Sequence, residues 1–200
     1  IKDTKLSLLK KYNIQKLNLF FNYKKNDLKL SDISFSLNNI NLLSEKISLK
    51  KTKDYFLIEG SANHKLINVD EENLELFIKP LFSKLDVKTM KFSSKNSFLF
   101  KINNKYKLNN FEIKSEILIN EFSTIHNFDL KNFFPKAKKN IMLSDNKLSI
   151  EYKKDFFSIN GKGNILIQDQ KDYLEFLINK KGDVLNFKSL LKIKNNPLFI

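Results

Sequence analysis

Cysteine, tryptophan and arginine are absent from this chain of 200 residues, which holds only four glycines, three prolines and two histidines. Without cysteine there is no disulfide framework, no thiolate nucleophile and no cysteine-bound zinc or iron–sulfur centre. His64 and His126 lie far apart, and neither has a second histidine at ligand spacing, so both read as ordinary surface or edge residues. Without arginine the chain lacks the planar fork that reads guanine O6 and N7, and no nucleic-acid partner is expected. No uncharged apolar run approaches the roughly 18–20 residues that span a bilayer as a helix. No signal peptide is visible and the first residue is Ile1. The chain therefore reads as an excerpt of something longer, with any membrane anchor or export signal outside it.

What is present is apolar and basic. Hydrophobic residues make up 42% and aromatic residues 12%, including nineteen phenylalanines, too apolar for a disordered polyion. The net charge of +14 comes from 36 bases, all of them lysine, against 22 acids. The chain is also heavy in Phe, Ile, Asn, Lys and Leu, the residues that A/T-rich codons favour. Lysine content of that origin is a weak sign of a basic binding surface.

The dominant pattern has period two. Leu28 and Leu30 alternate, then Ile33, Phe35 and Leu37, then Ile40 and Leu42, then Ile47 and Leu49. Phe98, Phe100 and Ile102 follow, with Phe111 and Ile113, and Ile117 and Ile119. The last third carries Leu148, Ile150 and Tyr152, then Phe157 and Ile159, Ile165 and Ile167, Leu174, Phe176 and Ile178, and Leu185 and Phe187. Such alternation turns one face of each strand to apolar material and the other to water. Short polar clusters separate the runs at Lys51–Asp54, Lys153–Asp155, Asp169–Asp172 and Lys180–Asp183. They fit turns between antiparallel neighbours, too short for the crossovers of parallel strands.

Helical signals are few. Lys2 to Tyr12 fits a short helix, and Asp129 to Lys139 fits a single turn. Asp172 to Lys181 reads better as a strand closed by a hairpin turn than as a helix ended by Gly182. Asp70, Glu71 and Glu72 read as a solvated turn before a strand at Leu74, not as a divalent-cation site.

A repeat emerges at about one hundred residues. Leu43–Asn63 (LSEKISLKKTKDYFLIEGSAN) aligns with Leu143–Asn164 (LSDNKLSIEYKKDFFSINGKGN) through one inserted residue. Phe56, Ile58, Gly60 and Asn63 fall on Phe157, Ile159, Gly161 and Asn164. Beyond that stretch, at a spacing of one hundred, Leu66-Ile67 falls on Leu166-Ile167, and Leu74-Glu75 on Leu174-Glu175. Gly60 and Gly161 sit inside apolar alternation, which predicts a bulge or bend in a long strand, with a hairpin turn at each glycine as the alternative. Gly161-Lys162-Gly163 is no phosphate cradle, because Ile165 and Ile167 continue a strand where a helix is needed. No serine, histidine and acid assemble into a nucleophile motif, and no enzyme and no cofactor are expected.

Two stretches resemble the periplasmic repeats of AsmA-like proteins of Gram-negative bacteria. They are Leu28–Lys65 (LKLSDISFSLNNINLLSEKISLKKTKDYFLIEGSANHK) and Asp145–Ile193 (DNKLSIEYKKDFFSINGKGNILIQDQKDYLEFLINKKGDVLNFKSLLKI). The resemblance is one of rhythm across residues 28–193. It implies a long β-sheet bent into a groove, tethered to the inner membrane, that moves phospholipid towards the outer membrane without catalytic residues.

The expected architecture is mainly β: a repetitive antiparallel meander forming a curved sheet or groove, with a closed sandwich or barrel as the alternative and few short helices. Residues 1–26 form a lead-in of helix or strand, 27–125 a first β unit and 126–200 a second. The expected function is passive, an apolar face holding phospholipid acyl chains with headgroups near lysines. The alternative is a structural or adhesive scaffold that binds no small ligand. Alternation nominates Phe98, Phe100, Phe111, Ile113, Phe157, Ile159, Phe176, Ile178 and Phe187 as the lipid-facing residues.

Overall fold

A computed structural model describes residues 1–8, 12–78, 86–105, 107–194 and 196–199. Among them eleven strands form one antiparallel sheet whose spatial order is its sequence order. The strands are β1 (Thr4–Leu8), β2 (Tyr12–Lys24), β3 (Asp27–Leu37), β4 (Ile40–Lys51), β5 (Tyr55–Asn68) and β6 (Asp86–Asn103). They continue as β7 (Leu108–Ile125), β8 (Asn140–Lys153), β9 (Phe156–Leu166), β10 (Asp172–Lys181) and β11 (Val184–Lys192). β1 and β11 remain the two edges, so the sheet is open and the closed sandwich or barrel is set aside. Every connection joins neighbours in the sheet, as antiparallel pairing allows without a crossover. Asn38 and Asn39, both at positive φ, make the two-residue turn between Leu37 and Ile40. Gly182, at φ +56°, makes the one between Lys181 and Val184, as the hairpin reading of Lys180–Asp183 expects. The region 172–181 is accordingly strand, and its helical alternative is overturned.

The expected helix at Lys2–Tyr12 is also overturned. Thr4–Leu8 is a strand, paired with β2 through Thr4↔Leu17 and Ser7↔Asn13, while residues 9–11 lie outside those described. A neighbouring strand that supplies a hydrogen-bonding edge outweighs the local helical spacing of leucines.

Where the alternation slips phase, the structure has bulges inside strands. β2 carries one at Lys16 and β3 one at Asp32, both at positive φ. β4 shifts register between Leu43 and Ile47, β5 between His64 and Ile67, and β8 at Asp145, again with positive φ. Each extra residue bends its strand and increases local twist.

The repeat is real in three dimensions over the β4–β5 and β8–β9 hairpins. Ile47 pairs with Gly60 as Leu148 pairs with Gly161, and Leu49 with Ile58 as Ile150 with Ile159. Both glycines lie within strands, which rules out a turn at either. The bulge sits beside each, in the partner strand. A Cβ on Gly161 would come within 2.4 Å of the Phe176 ring and 2.7 Å of Leu148 Cδ2, so the bare backbone there seats an aromatic side chain. The correspondence stops at Leu74. Residues 71–78 form a helical turn, α1 (Glu71–Asn73) continuing as a π-helix over Leu74–Ile78, whereas Leu174–Ile178 belongs to β10. The cause is a cap: Asp70 accepts from the Asn73 amide at 2.8 Å and from Asn73 Nδ2 at 2.9 Å. Asn73 Nδ2 also donates to the Asn38 carbonyl at 2.7 Å, fixing the turn over the sheet. Asp70–Glu72 is thus a helix start and not the approach to a strand.

The two ends of the sheet differ. The short connections after β2, β4, β6, β8 and β10 lie along one rim. The opposite end carries the long connections, and there the core forms. Val69, Leu74, Val87, Met90, Ile119 and Phe122 are buried together, with Ile67, Phe92 and Leu143 packed against them. The connection 126–139 contains the expected turn, with Phe134 N donating to Leu130 O at 2.8 Å. Lys138 N donates to Ile167 O, Lys136 N to Gln168 Oε1, Gln168 Nε2 to Pro197 O and Phe199 N to Phe133 O. His126, expected at the surface, is 5% exposed. Its Nδ1 accepts from Phe128 N at 3.1 Å, which leaves Nε2 to donate to Lys138 O at 3.1 Å. β7 and β8 pair directly, from Ile113↔Tyr152 to Ile125↔Asn140, so residues 27–125 and 126–200 share one sheet.

Candidate functional site: an uncovered apolar sheet face

Side chains on paired residues share a face, and the registers sort the strands into an apolar and a polar side. All nine nominated residues fall on the apolar side. Phe98 pairs with Ile113 and Phe100 with Phe111 across β6–β7. Ile113 pairs with Tyr152, and Tyr152 with Phe157. Ile178 pairs with both Ile159 and Phe187, and Phe176 pairs with Gly161. The nine therefore form one field reaching from β6 to the β11 edge.

Rings give this field its surface. Phe98 and Phe100 stack at a centroid distance of 5.0 Å, Phe100 and Phe111 at 5.0 Å, and Phe111 meets Tyr152 at 5.5 Å. Tyr152, Ile150 and Leu185 belong to the field although they were not among the nominated residues. Alternation already marked them, and what singles them out is pairing, which one strand's sequence does not contain. On the other side of β6 the field continues through Ile58, opposite Phe100, and Leu49, opposite Ile58.

No second layer covers this field among the described residues, whose only close element contacts lie between adjacent strands and at the helical turn. Exposure rises towards the edges: Phe187 is 64% exposed, Leu185 66% and Phe21 62%. In β5 to β7 a row of small and polar residues, Ala62, Asn96 and Ser115, interrupts the apolar face, whereas in β8 to β11 the same row carries Ile150, Ile159, Ile178 and Phe187. Asn96 Nδ2 donates to Ala62 O at 2.6 Å and to Ser94 Oγ at 2.7 Å. Lysines crowd the short-turn rim next to the field. Lys51 Nζ lies 5.7 Å from the Phe56 ring centre and Lys153 Nζ 4.8 Å from that of Phe156.

No family model matches the chain, and no curated protein and no solved structure matches it either. The site is therefore read from its own geometry. It presents hydrocarbon and aromatic surface with cations along one margin, and it brings no nucleophile, base and acid together. A hollow of a different kind opens on the other, polar face. It measures about 810 Å³ and is floored mainly by polar-face residues of β4 to β10, among them Lys95, Glu116, Lys147 and Lys162.

Proposed function

We propose that the apolar face takes up the acyl chains of phospholipids, with headgroups at the lysine-bearing rim, and that the chain works without catalysis as a lipid-holding segment of a bacterial envelope protein. One observation carries this reading: an apolar field running from β4 to β11 has no protein layer over it among the described residues. Ordinary domains bury a sheet's apolar face against a helix layer or a second sheet. Soluble proteins rarely leave contiguous apolar patches beyond a few hundred Å² uncovered, and larger ones mark sites of interaction. Acyl chains suit the field because its surface is mostly hydrocarbon and aromatic ring, and each buried methylene contributes about 0.8 kcal/mol. The rim lysines match phosphate in charge. The likeness of Leu28–Lys65 and Asp145–Ile193 to AsmA-like repeats points the same way, and a periplasmic location belongs to the same proposal.

The test is mass spectrometry of lipids that copurify with the chain from bacterial membranes after a high-salt wash. Salt strips lipid held by charge alone. Stoichiometric phospholipid is expected on the native chain and its loss in Phe187→Asp, which alters an exposed edge position. Phe176→Asp is the stricter variant, because Phe176 packs over Gly161. A folded chain free of lipid under these conditions would favour a scaffold that binds no small ligand.

A further inference from the structure

The polar face carries an amphiphilic hollow that the lipid reading does not use. Three leucines break its polarity: Leu43, Leu66 and Leu118 are 42%, 49% and 37% exposed there, and all three line the 810 Å³ hollow. Leu66 lies in the β5 bulge, opposite Ser93, and Ser93 pairs with Leu118. Leu118 pairs in turn with Lys147, and Lys147 with Lys162. The order from β4 to β9 is thus leucine, leucine, serine, leucine, then two lysines side by side. A second hollow of about 430 Å³ adjoins at Leu43, Lys65 and Leu66 and lengthens the apolar end.

The lysine pair is the informative part. Like charges directly opposite each other across strands repel. Among the described residues neither Lys147 nor Lys162 makes an ion pair within 4.0 Å, although Glu175 pairs across β10 with Lys162 in the sheet register. An anion between the two ammonium groups would relieve that repulsion. From β8, which carries Lys147, to β4, which carries Leu43, is four strand spacings, about 19 Å. That length suits a long alkyl chain laid across the strands.

We propose that this hollow binds a single-chain anionic amphiphile, with its carboxylate or phosphate between Lys147 and Lys162 and its hydrocarbon over Leu118, Leu66 and Leu43. The site is separate from the apolar face and does not depend on phospholipid binding there. The other charged lining residues, Lys65 and Lys95 against Glu116 and Glu175, balance each other and leave the charge of the lysine pair as the net charge.

The experiment is calorimetric titration of the full 200-residue chain with monomeric oleate, oleoyl lysophosphatidate and uncharged monoolein. One mole of either anionic ligand is expected per chain, and the tighter of the two identifies a carboxylate or a phosphate as the preferred head. Lys147→Ala/Lys162→Ala should weaken both at least tenfold, Lys147→Arg/Lys162→Arg should retain them, and Leu118→Ser should weaken all ligands. Phe187→Asp, on the other face, should leave this titration unchanged while removing copurified phospholipid. Oleate binding that survives the double alanine variant, or that Phe187→Asp abolishes, overturns the proposal in favour of the apolar face. Binding of polyglutamate with the same lysine dependence, and none of oleate, overturns it in favour of an acidic peptide. The substituted positions are solvent-facing, and circular dichroism of each variant confirms the fold before titration.

Discussion

At single positions the sheet depends on where side chains are missing. Gly161 faces Leu148 on one neighbouring strand and Phe176 on the other, and the Phe176 ring occupies the space a Cβ would need, at 2.4 Å. Gly161→Ala is therefore expected to cost about 1–3 kcal/mol, the usual range for overpacking a filled site. Urea unfolding followed by circular dichroism measures it. Phe176→Leu in the same chain should recover part of the loss, since a shorter side chain frees the site, and the non-additivity of the pair reports the contact. An equal loss with and without Phe176→Leu would place the strain elsewhere. The sequence already isolates these glycines, because glycine is rare here and two of the four match across the repeat. What it leaves open is whether such a glycine turns the chain or admits a ring. That depends on Phe176, fifteen residues away and on another strand.

Among the elements, bulges and edges separate what the pattern reveals from what it hides. The runs Leu28–Leu30 and Ile33–Leu37 belong to one strand, and the phase slip between them is the bulge at Asp32. Ile40–Leu42 and Ile47–Leu49 join in the same way within β4. A slipped phase and a turn look alike in sequence, because both interrupt alternation with polar residues that tolerate positive φ. Helical turns are harder still to read. The leucine spacing of residues 2–12 imitates a helix where β2 makes a strand, and Asp70 caps a helical turn where the repeat points to a strand. In both places a tertiary partner, β2 in one and Asn38 in the other, decides. The strands also differ in how far they rely on the core. Phe122 is 8% exposed in β7 and Phe187 64% exposed in β11, though both lie on the apolar face. Phe122→Asp buries an unpaired carboxylate and is expected to remove most of the stability, several kcal/mol. Phe187→Asp should change it by less than about 1 kcal/mol. Thermal unfolding of the two variants checks the contrast, and comparable losses would mean that β11 is covered in solution.

For the molecule as a whole, an open single sheet implies stability graded across its width. The buried cluster lies under β5 to β7 and the helical turn, while β10 and β11 form the margin of the sheet and contact only adjacent strands. The alternation that made the nine apolar positions legible does not say whether anything packs on them. A covered face and an open one have the same period, and only the absence of a second layer separates them. Amide hydrogen exchange should follow that division. Elements with few buried apolar contacts open at a lower free energy than the whole chain. Backbone amides of β10 and β11 are thus expected to exchange faster than those of β6 and β7, because opening them exposes little new apolar surface. Phospholipid on the apolar face should reverse the gradient at this edge. A ligand that binds only the closed sheet adds RT ln(1 + [L]/Kd), about 2.7 kcal/mol at one hundred times Kd, to every opening that expels it. That corresponds to slowing by a factor of about one hundred in β10 and β11, with little change in fraying turns that do not touch the field. Protection confined instead to β8 and β9 around Lys147 and Lys162 would assign the bound lipid to the polar hollow. No protection anywhere at saturating lipid would leave the open face without its proposed occupant.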